Sequence, residues 1–412
     1  MRILFVSMEY PWANAFALDD DADRFEGRAA WAVGGGGIAT YTALIAAALA
    51  ERGHDVHVLS CIPGQAASDL LDGAVHVHRR GHIRLRGVAR ISRAPSAAFR
   101  VAHAVTTLRE ARALGRFDVV EAPDYVAEGL GLAVGGRTPL VCQLHGPRRL
   151  LLRAGADASR WNAWAADGLE RFVVGRADVV TSPSRLLVRT LVAEGWLAGD
   201  DVRIVRNPVD VDAWRSAAPV TGTAPRVLAL GRLDATKAPE LLVEAAALLK
   251  VDVPELEVVF AGSSNGTRDG MPYATWVADR AETVGVRAQF LGRVAPEALV
   301  DLLGSARVLA LCSRFDNFPL VALEALAAGR PVVCSTATGT AELVEGSRAG
   351  TVVPVDDPQA TAEALRAFLG DASAAAEAGA SGRELVARHC APGAVAAQRE
   401  ACYADAVALH RS

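Results

Sequence analysis

Lysine is nearly missing from this chain. It occurs only at Lys237 and Lys250, although 43 residues are Lys or Arg. With arginine, alanine and glycine abundant, this marks a high-GC genome in which lysine codons are scarce, so a lysine that persists invites a reason. Cysteine is sparse as well. The six (Cys61, Cys142, Cys312, Cys334, Cys390 and Cys402) are scattered without metal-ligand spacing, which excludes a zinc module and fits reduced thiols in a cytoplasmic protein. No charge-free run reaches the ~20 apolar residues of a membrane span. The opening MRILFVSMEYPW is too short an apolar run for a signal peptide. Neither sign of charge dominates, and a net charge of −4 gives no electrostatic case for nucleic acid. The chain also lacks the dinucleotide fingerprint and the P-loop GK[ST], which disfavours a nicotinamide-dependent dehydrogenase.

What is present is a globular composition, 51% hydrophobic and 22% charged, in 412 residues, a length that suits two domains. Short Val/Ile/Leu-rich runs alternate with longer Ala/Leu-rich helical patterns, the signature of parallel sheets with helices on both faces. RILFVS, HDVHVLS, FDVVEAP, TPLVCQL, ADVVTSP and VRIVRN form a first series of strands. After the small, proline-containing linker SAAPVTGTAPR comes a second: RVLALG, LEVVFAG, AQFLG, RVLALCS and RPVVCS. The pattern predicts two doubly wound Rossmann-like domains, residues 1–215 and 222–390. A last helix within 391–412 is expected to pack back on the first domain. Ligands of such sheets bind beyond the carboxyl ends of the strands, where every motif below falls.

The segment SRFDNFPLVALEALAAGRPVV sets Asp316 just before a helix and Glu324 inside it. Pro319 suits the first helical position and Phe318 the N-cap, while Gly329 and Pro331 mark the end. No side-chain cap then covers the amides of Leu320 and Val321, and an uncapped positive helix end at a cleft suits a diphosphate. Glu324 lies about 7.5 Å along the axis from Pro319, placed to accept hydrogen bonds from diol hydroxyls on one side of that phosphate. Asp316 is placed for the same task on the other side.

GRLDATK, directly after the first strand of the second domain, offers Arg232 and Lys237 as a cation pair for a pyrophosphate. VGGGGIATY opens the first helix with Gly36 and Gly37, where a ligand can approach the backbone closely. His145 in QLHGP ends a strand of the first domain and faces the same cleft.

Taken in order, GGIATY, LHG, PSRLLVRTLV, RNPVD, GRLDATK, FLGRV and DNFPLVALEALAAGRPVV resemble the retaining family-4 glycosyltransferases of GT-B fold. The resemblance covers essentially the whole chain. It implies that Arg232 and Lys237 hold the diphosphate of a nucleotide-sugar donor, with the backbone of Phe318, Pro319, Leu320 and Val321 beside it. Glu324 would bind ribose hydroxyls, and the backbone near Arg293 and Val294 would meet the base. Asp316 would contact the donor sugar, His145 its reacting carbon and C6 hydroxyl, and Gly36 and Gly37 the phosphates and acceptor. No metal and no cofactor is implied. One departure stands out: Asp316 replaces the family's usual Glu and is a methylene shorter, which bears on which sugar is held.

The expected reaction moves a hexosyl or N-acetylhexosaminyl group, with a UDP-sugar favoured as donor, to a small-molecule hydroxyl such as that of an aminocyclitol. The acidic insertion with Asp19, Asp20, Asp21, Asp23 and Glu26, flanked by Trp12 and Trp31, would suit a cationic acceptor as a lid. The arginine-rich stretch RRGHIRLRGVARISR would instead suit a phosphorylated acceptor or an anionic membrane surface. A nucleotide-sugar epimerase and a non-catalytic nucleotide-sugar-binding homologue are the rival readings. The intact Arg232, Lys237 and Glu324 weigh against the second.

Overall fold

The computed structural model describes residues 1–8, 10, 36–82, 95–147, 150, 160–220 and 224–411. The acidic insertion and most of the arginine-rich stretch, from residue 83 onward, lie outside the described residues.

The first sheet contains β1 (Arg2–Val6), β2 (Asp55–Ile62), β3 (Ser68–Asp72), β4 (Val75–Gly81), β5 (Val119–Pro123), β6 (Leu140–Gln143), β7 (Val179–Ser182) and β8 (Arg203–Ile204). Their order is β3-β4-β2-β1-β5-β6-β7-β8. The second sheet contains β9 (Arg226–Leu230) and β10 (Glu257–Ala261). After a two-stranded hairpin, β11 (Thr267–Arg268) and β12 (Met271–Pro272), it continues with β13 (Arg287–Phe290), β14 (Val308–Leu311), β15 (Val332–Ser335) and β16 (Gly350–Val353). Its order, β13-β10-β9-β14-β15-β16, is that of a dinucleotide-binding sheet. In both sheets the strand order reverses beside the first strand, and a crevice opens there. These are two Rossmann-like α/β domains, as the sequence pattern predicts.

All the strands expected from the sequence are present. The departure is at the edge of the first sheet, where β3 runs antiparallel to β4. The sequence reading passed over both strands. SDLLD is exposed at every position, and VHVHRRG carries histidine and arginine where a buried strand carries aliphatics.

The central strands of each sheet are buried on both faces. Ile3, Phe5, Val56, Val58, Val75 and Val77 pack with the helix Gly37–Glu51 and with Val395, Ala396 and Tyr403 of the C-terminal helix Pro392–Arg411. That last helix therefore shares the core of the first sheet. Glu400 pairs with Arg52 at 2.7 Å and with His54 at 2.8 Å, and Asp405 pairs with Arg203 at 2.8 Å. The first part of the linker is anchored: Ala217 and Val220 are buried, and the carbonyl of Ala218 accepts from the buried Arg330.

Candidate functional site

The strand β9 ends at Leu230, and the loop that opens with Gly231 must pass close to the loop after β10. A Cβ on Gly262 would lie 1.8 Å from the Gly231 carbonyl oxygen, so only glycine permits the approach. The loop then turns on Asp234. Its Oδ1 accepts from the amides of Thr236 (3.0 Å) and Lys237 (3.1 Å), and its Oδ2 lies 3.2 Å from Arg232 Nε. One carboxylate thus shapes the turn and steers a cation. Sequence reasoning singled out Arg232 and Lys237 but missed Asp234; the D-x-T spacing of a side-chain-capped turn was the available signal.

The loop after β14 is pinned from the other side. The Asp316 amide donates to the Ala337 carbonyl at 2.9 Å, and the Gly339 amide donates to the Asp316 carbonyl at 2.8 Å. A Cβ on Gly339 would fall 1.6 Å from the Asn317 carbonyl oxygen, so this pairing also needs glycine. The two loops meet: the Arg314 amide donates to the Thr236 carbonyl at 2.8 Å, and the Lys237 ammonium pairs with the Asp316 carboxylate. Two residues assigned to different parts of a ligand are therefore ion-paired in the ligand-free chain.

The helix that follows runs Leu320–Ala327, and Pro319 (φ −64°, ψ 125°) is its N-cap, so the start lies one residue later than the sequence suggested. Proline fixes φ alone, and its ψ here is extended, so it precedes the helix and does not begin it. Phe318 is buried in the core, and its carbonyl accepts from Asn207 at 3.1 Å. The first amide bonded at this end is that of Ala322, to the Pro319 carbonyl. No side chain caps the helix, and the amides of Leu320 and Val321 have no acceptor among the described residues.

Across the cleft the helix Gly37–Glu51 begins in the same way, with Gly36 as N-cap and no side-chain cap. A Cβ on Gly37 would be 3.9 Å from Leu320 Cδ1. Two uncapped helix N-termini, one from each domain, thus come close together, and Lys237 reaches the loop leading into the Leu320–Ala327 helix through Asp316. Their partial positive charges converge where an anion is expected.

Glu324 stands one turn into the second of these helices. Its carboxylate has no hydrogen bond or ion pair among the described residues, and burial alone pushes its pKa up to about 7. An acid held this way is a poor structural choice and a good acceptor for ligand hydroxyls. Arg293 and Val294 sit in the loop after β13, Arg293 exposed and Val294 half-buried. The Gly262 amide donates to the Gly292 carbonyl at 2.6 Å, which ties that loop to the Gly231 turn.

His145 follows β6 on the first-domain wall. Its amide donates to Asp124 Oδ1 at 2.7 Å, and that of Gly146 to Oδ2 at 3.3 Å. Burial raises Asp124 to about 7 against these hydrogen bonds. The His145 ring meets Tyr41 edge-on, centroids 4.9 Å apart. Burial, with the Arg399 charge behind it, lowers its pKa to about 3, so the imidazole is neutral near pH 7.

Beneath it lies a network that the sequence reading did not find. Glu121 accepts from Tyr41 and Tyr403, both at 2.6 Å, and lies 3.5 Å from Arg399. Arg399 also donates to Thr181 at 2.7 Å and to Gln143. The interdomain seam carries two further contacts: Ser184 Oγ to Asn317 at 3.0 Å, and Glu342 accepting from the amides of Arg185 (3.0 Å) and Leu186 (2.6 Å).

Residues 210–385 match the family model "Glycosyl transferases group 1" and residues 35–213 match "Glycosyltransferase Family 4". The two matches adjoin and together take in both walls of the cleft. A D-inositol 3-phosphate glycosyltransferase of Streptomyces avermitilis is 28% identical over 67% of this chain and 62% of its own length; the chain thus spans under two thirds of that relative. A glycogen synthase of Mycobacterium tuberculosis is 28% identical over 91% of this chain and 87% of its own. Among solved structures, a sucrose-phosphate synthase from Thermosynechococcus elongatus superposes with a TM-score of 0.76 at 19% identity, over 98% of both chains. Anabaena HepE in complex with UDP and glucose gives 0.65 at 18% identity, over 97% of this chain and 98% of that one. The chain belongs to the family-4 glycosyltransferases of GT-B fold.

Proposed function

We propose that this family-4 glycosyltransferase takes a hexosyl or N-acetylhexosaminyl group from a nucleotide-diphosphate sugar and passes it, with retained anomeric configuration, to a hydroxyl of a soluble small molecule. The observation that carries the reading is the pair of uncapped helix N-termini at Gly37 and Leu320, with Lys237 ion-paired to Asp316 in the loop that leads into the second and Arg232 held by Asp234 in the loop of Lys237. Negative charge grows on the leaving diphosphate as the glycosidic bond breaks. Fixed donors aimed at that charge are the largest single source of rate in most enzymes. Glu324, half-buried and unpaired among the described residues, accepts from ribose hydroxyls. When the diphosphate arrives, Lys237 exchanges or shares its Asp316 partner with it, which leaves the Asp316 carboxylate for the sugar. Neutral His145 offers a nitrogen to a sugar hydroxyl without placing a second cation at an oxocarbenium-like centre. The acceptor attacks from the face the diphosphate leaves, and a diphosphate oxygen takes its proton.

UDP is the favoured nucleotide, supported by the fold shared with HepE in its complex with UDP and glucose. A phosphorylated cyclitol is the second acceptor reading, supported by the relatives named D-inositol 3-phosphate glycosyltransferases. The test is a matrix of UDP- and GDP-sugars against aminocyclitols, inositol phosphates and buffer alone, read by nucleotide release and by the anomeric coupling of the product. Acceptor-dependent release with an axial-to-axial outcome supports the reading. Acceptor-independent conversion of the donor to an epimer, or binding with no turnover on any pair, would replace it.

A further inference from the structure

A second cluster of chemistry lies at the amino ends of β2 and β4, the opposite end of the sheet from the cleft. His57 stands opposite His76 on these parallel strands, and Asp69 opposite His78 on the antiparallel edge pair. Because strand side chains alternate, Asp55 and His57 share one face with His76, His78 and Asp69. The other face, with Val56, Val58, Val75 and Val77, is core.

With both imidazoles neutral, the hydrogen bonds along this face assign the tautomers. His78 Nδ1 lies 2.6 Å from Asp69 Oδ1, and a carboxylate only accepts, so that nitrogen holds the proton. His78 Nε2 is then an acceptor for His57 Nδ1 at 2.9 Å. A neutral His57 is left with its Nε2 lone pair pointing at Asp55 Oδ1, 3.0 Å away, an atom with no proton to give. Two acceptors at that distance require a cation between or beside them. Arg2 supplies only a shared N–H, its Nε 3.4 Å from His57 Nε2 and 3.1 Å from Asp55 Oδ2. A third ligand atom, His76 Nε2, stands 3.9 Å from the same Asp55 oxygen. A proton bridges two atoms; three converging ligand atoms suit a metal ion.

We propose that Asp55, His57 and His76 bind one divalent transition-metal ion of the zinc type, with His78 and Asp69 orienting His57. The ligand atoms of the three residues all lie within 4.8 Å of one another. Bonds of about 2.0–2.1 Å place tetrahedral ligands roughly 3.3 Å apart, so the closure needed is modest. The His57 and His76 rings are stacked, 18° apart in plane, and must tilt for their nitrogens to converge. His76 and Asp55 are exposed and free to do so. The His57–His78–Asp69 relay is the arrangement that usually sets the basicity and aim of a metal-bound imidazole. Bound there, the ion ties β2 to β4 and the fourth position is left to water.

The test uses the full-length, untagged chain, stripped with chelator and titrated with Co²⁺ as probe. One Co²⁺ per chain should give visible ligand-field absorption, be displaced by Zn²⁺ and raise the melting temperature. His76→Ala should weaken binding at least tenfold, and His78→Gln on the order of tenfold through its effect on His57. Arg2→Gln should bind several-fold more tightly, because a competing guanidinium leaves the ligands. No saturable absorption, or titrations that His76→Ala leaves unchanged, would overturn the site.

Discussion

The two walls of the cleft treat buried charge in opposite ways. Behind His145, Glu121 is fully enclosed and fully partnered: two tyrosine hydroxyls and Arg399 meet its two oxygens. On the facing wall, among the described residues, Glu324 has no partner and Leu320 and Val321 have idle amides, and the Lys237–Asp316 pair is partly exposed. The difference separates construction from function. A carboxylate met on both oxygens rigidifies the fold and offers nothing to a ligand, although Arg399 Nε and Gln143 Nε2 of the same network have no partner among the described residues. Groups left unsatisfied in partial burial store free energy that a ligand releases.

The comparison breaks most visibly at Arg399. Arg399→Met should cost about 3–5 kcal/mol of stability, since it strands a carboxylate with only two hydroxyls in a dry core. Chemical denaturation checks this. The remaining folded protein should still bind nucleoside diphosphate, because none of the donor groups is touched. Loss of binding ahead of unfolding would show that the first wall is part of the site and not only its support.

Lys237→Ala should do the reverse. Turnover should fall by two to three decades, about 3–4 kcal/mol, if the ammonium stabilises the leaving diphosphate. Stability should change by about 1 kcal/mol or less, as for ion pairs that water reaches. Arg232→Ala should lose turnover similarly, and the double variant should be less than additive because both cations serve one group. Transfer at near the parental rate in single-turnover assays would remove Lys237 from the chemistry.

Glu324 sharpens the contrast through pH. Its pKa of about 7 in the folded chain lies above the ordinary carboxylate value because of burial. A raised acid binds its proton more tightly folded than unfolded, so the chain should lose stability as pH rises from about 4.5 to 7. Glu324→Gln should abolish that loss. Donor affinity should show the opposite trend in the parent, rising through pH 7 as the carboxylate forms, and Glu324→Gln should bind nucleoside diphosphate about tenfold more weakly at pH 8. Calorimetric titration at pH 6 and pH 8 reads both; a flat affinity would leave Glu324 an ordinary helix residue.

How far the sequence reveals these walls depends on whether a group's role is local. Runs such as RVLALG and VVCS announce buried parallel strands because both faces demand aliphatics. Lys237, Asp316 and Glu324 are legible because strand-end loops and helix starts place them by spacing alone. Pro319 was read one position off because its fixed φ fits both N-cap and first turn, and only ψ decides. Glu121 and Arg399 were invisible: they lie 278 positions apart in sequence, and each alone reads as an unremarkable charge. The histidines of β4 were passed over because they alternate with its buried valines, and such an outward polar face is what any half-buried strand carries.

The smallest effect tests the division within the second wall itself. Asp316→Ala should lose transfer as severely as Lys237→Ala if the carboxylate holds the sugar. Yet it removes nothing that the diphosphate touches. It instead frees Lys237 from its only ion-pair partner among the described residues. Affinity for the nucleoside diphosphate alone should therefore stay within about threefold of the parent, less than ~1 kcal/mol, and any change should be toward tighter binding. Asp316→Glu restores the longer acid usual in the family and should retain part of the activity, with an altered preference among hexose donors differing at the 3- and 4-hydroxyls. Should Asp316→Ala weaken the free diphosphate tenfold, the carboxylate's task is to aim Lys237 at the phosphates. The sugar contact would then belong to another residue of the cleft.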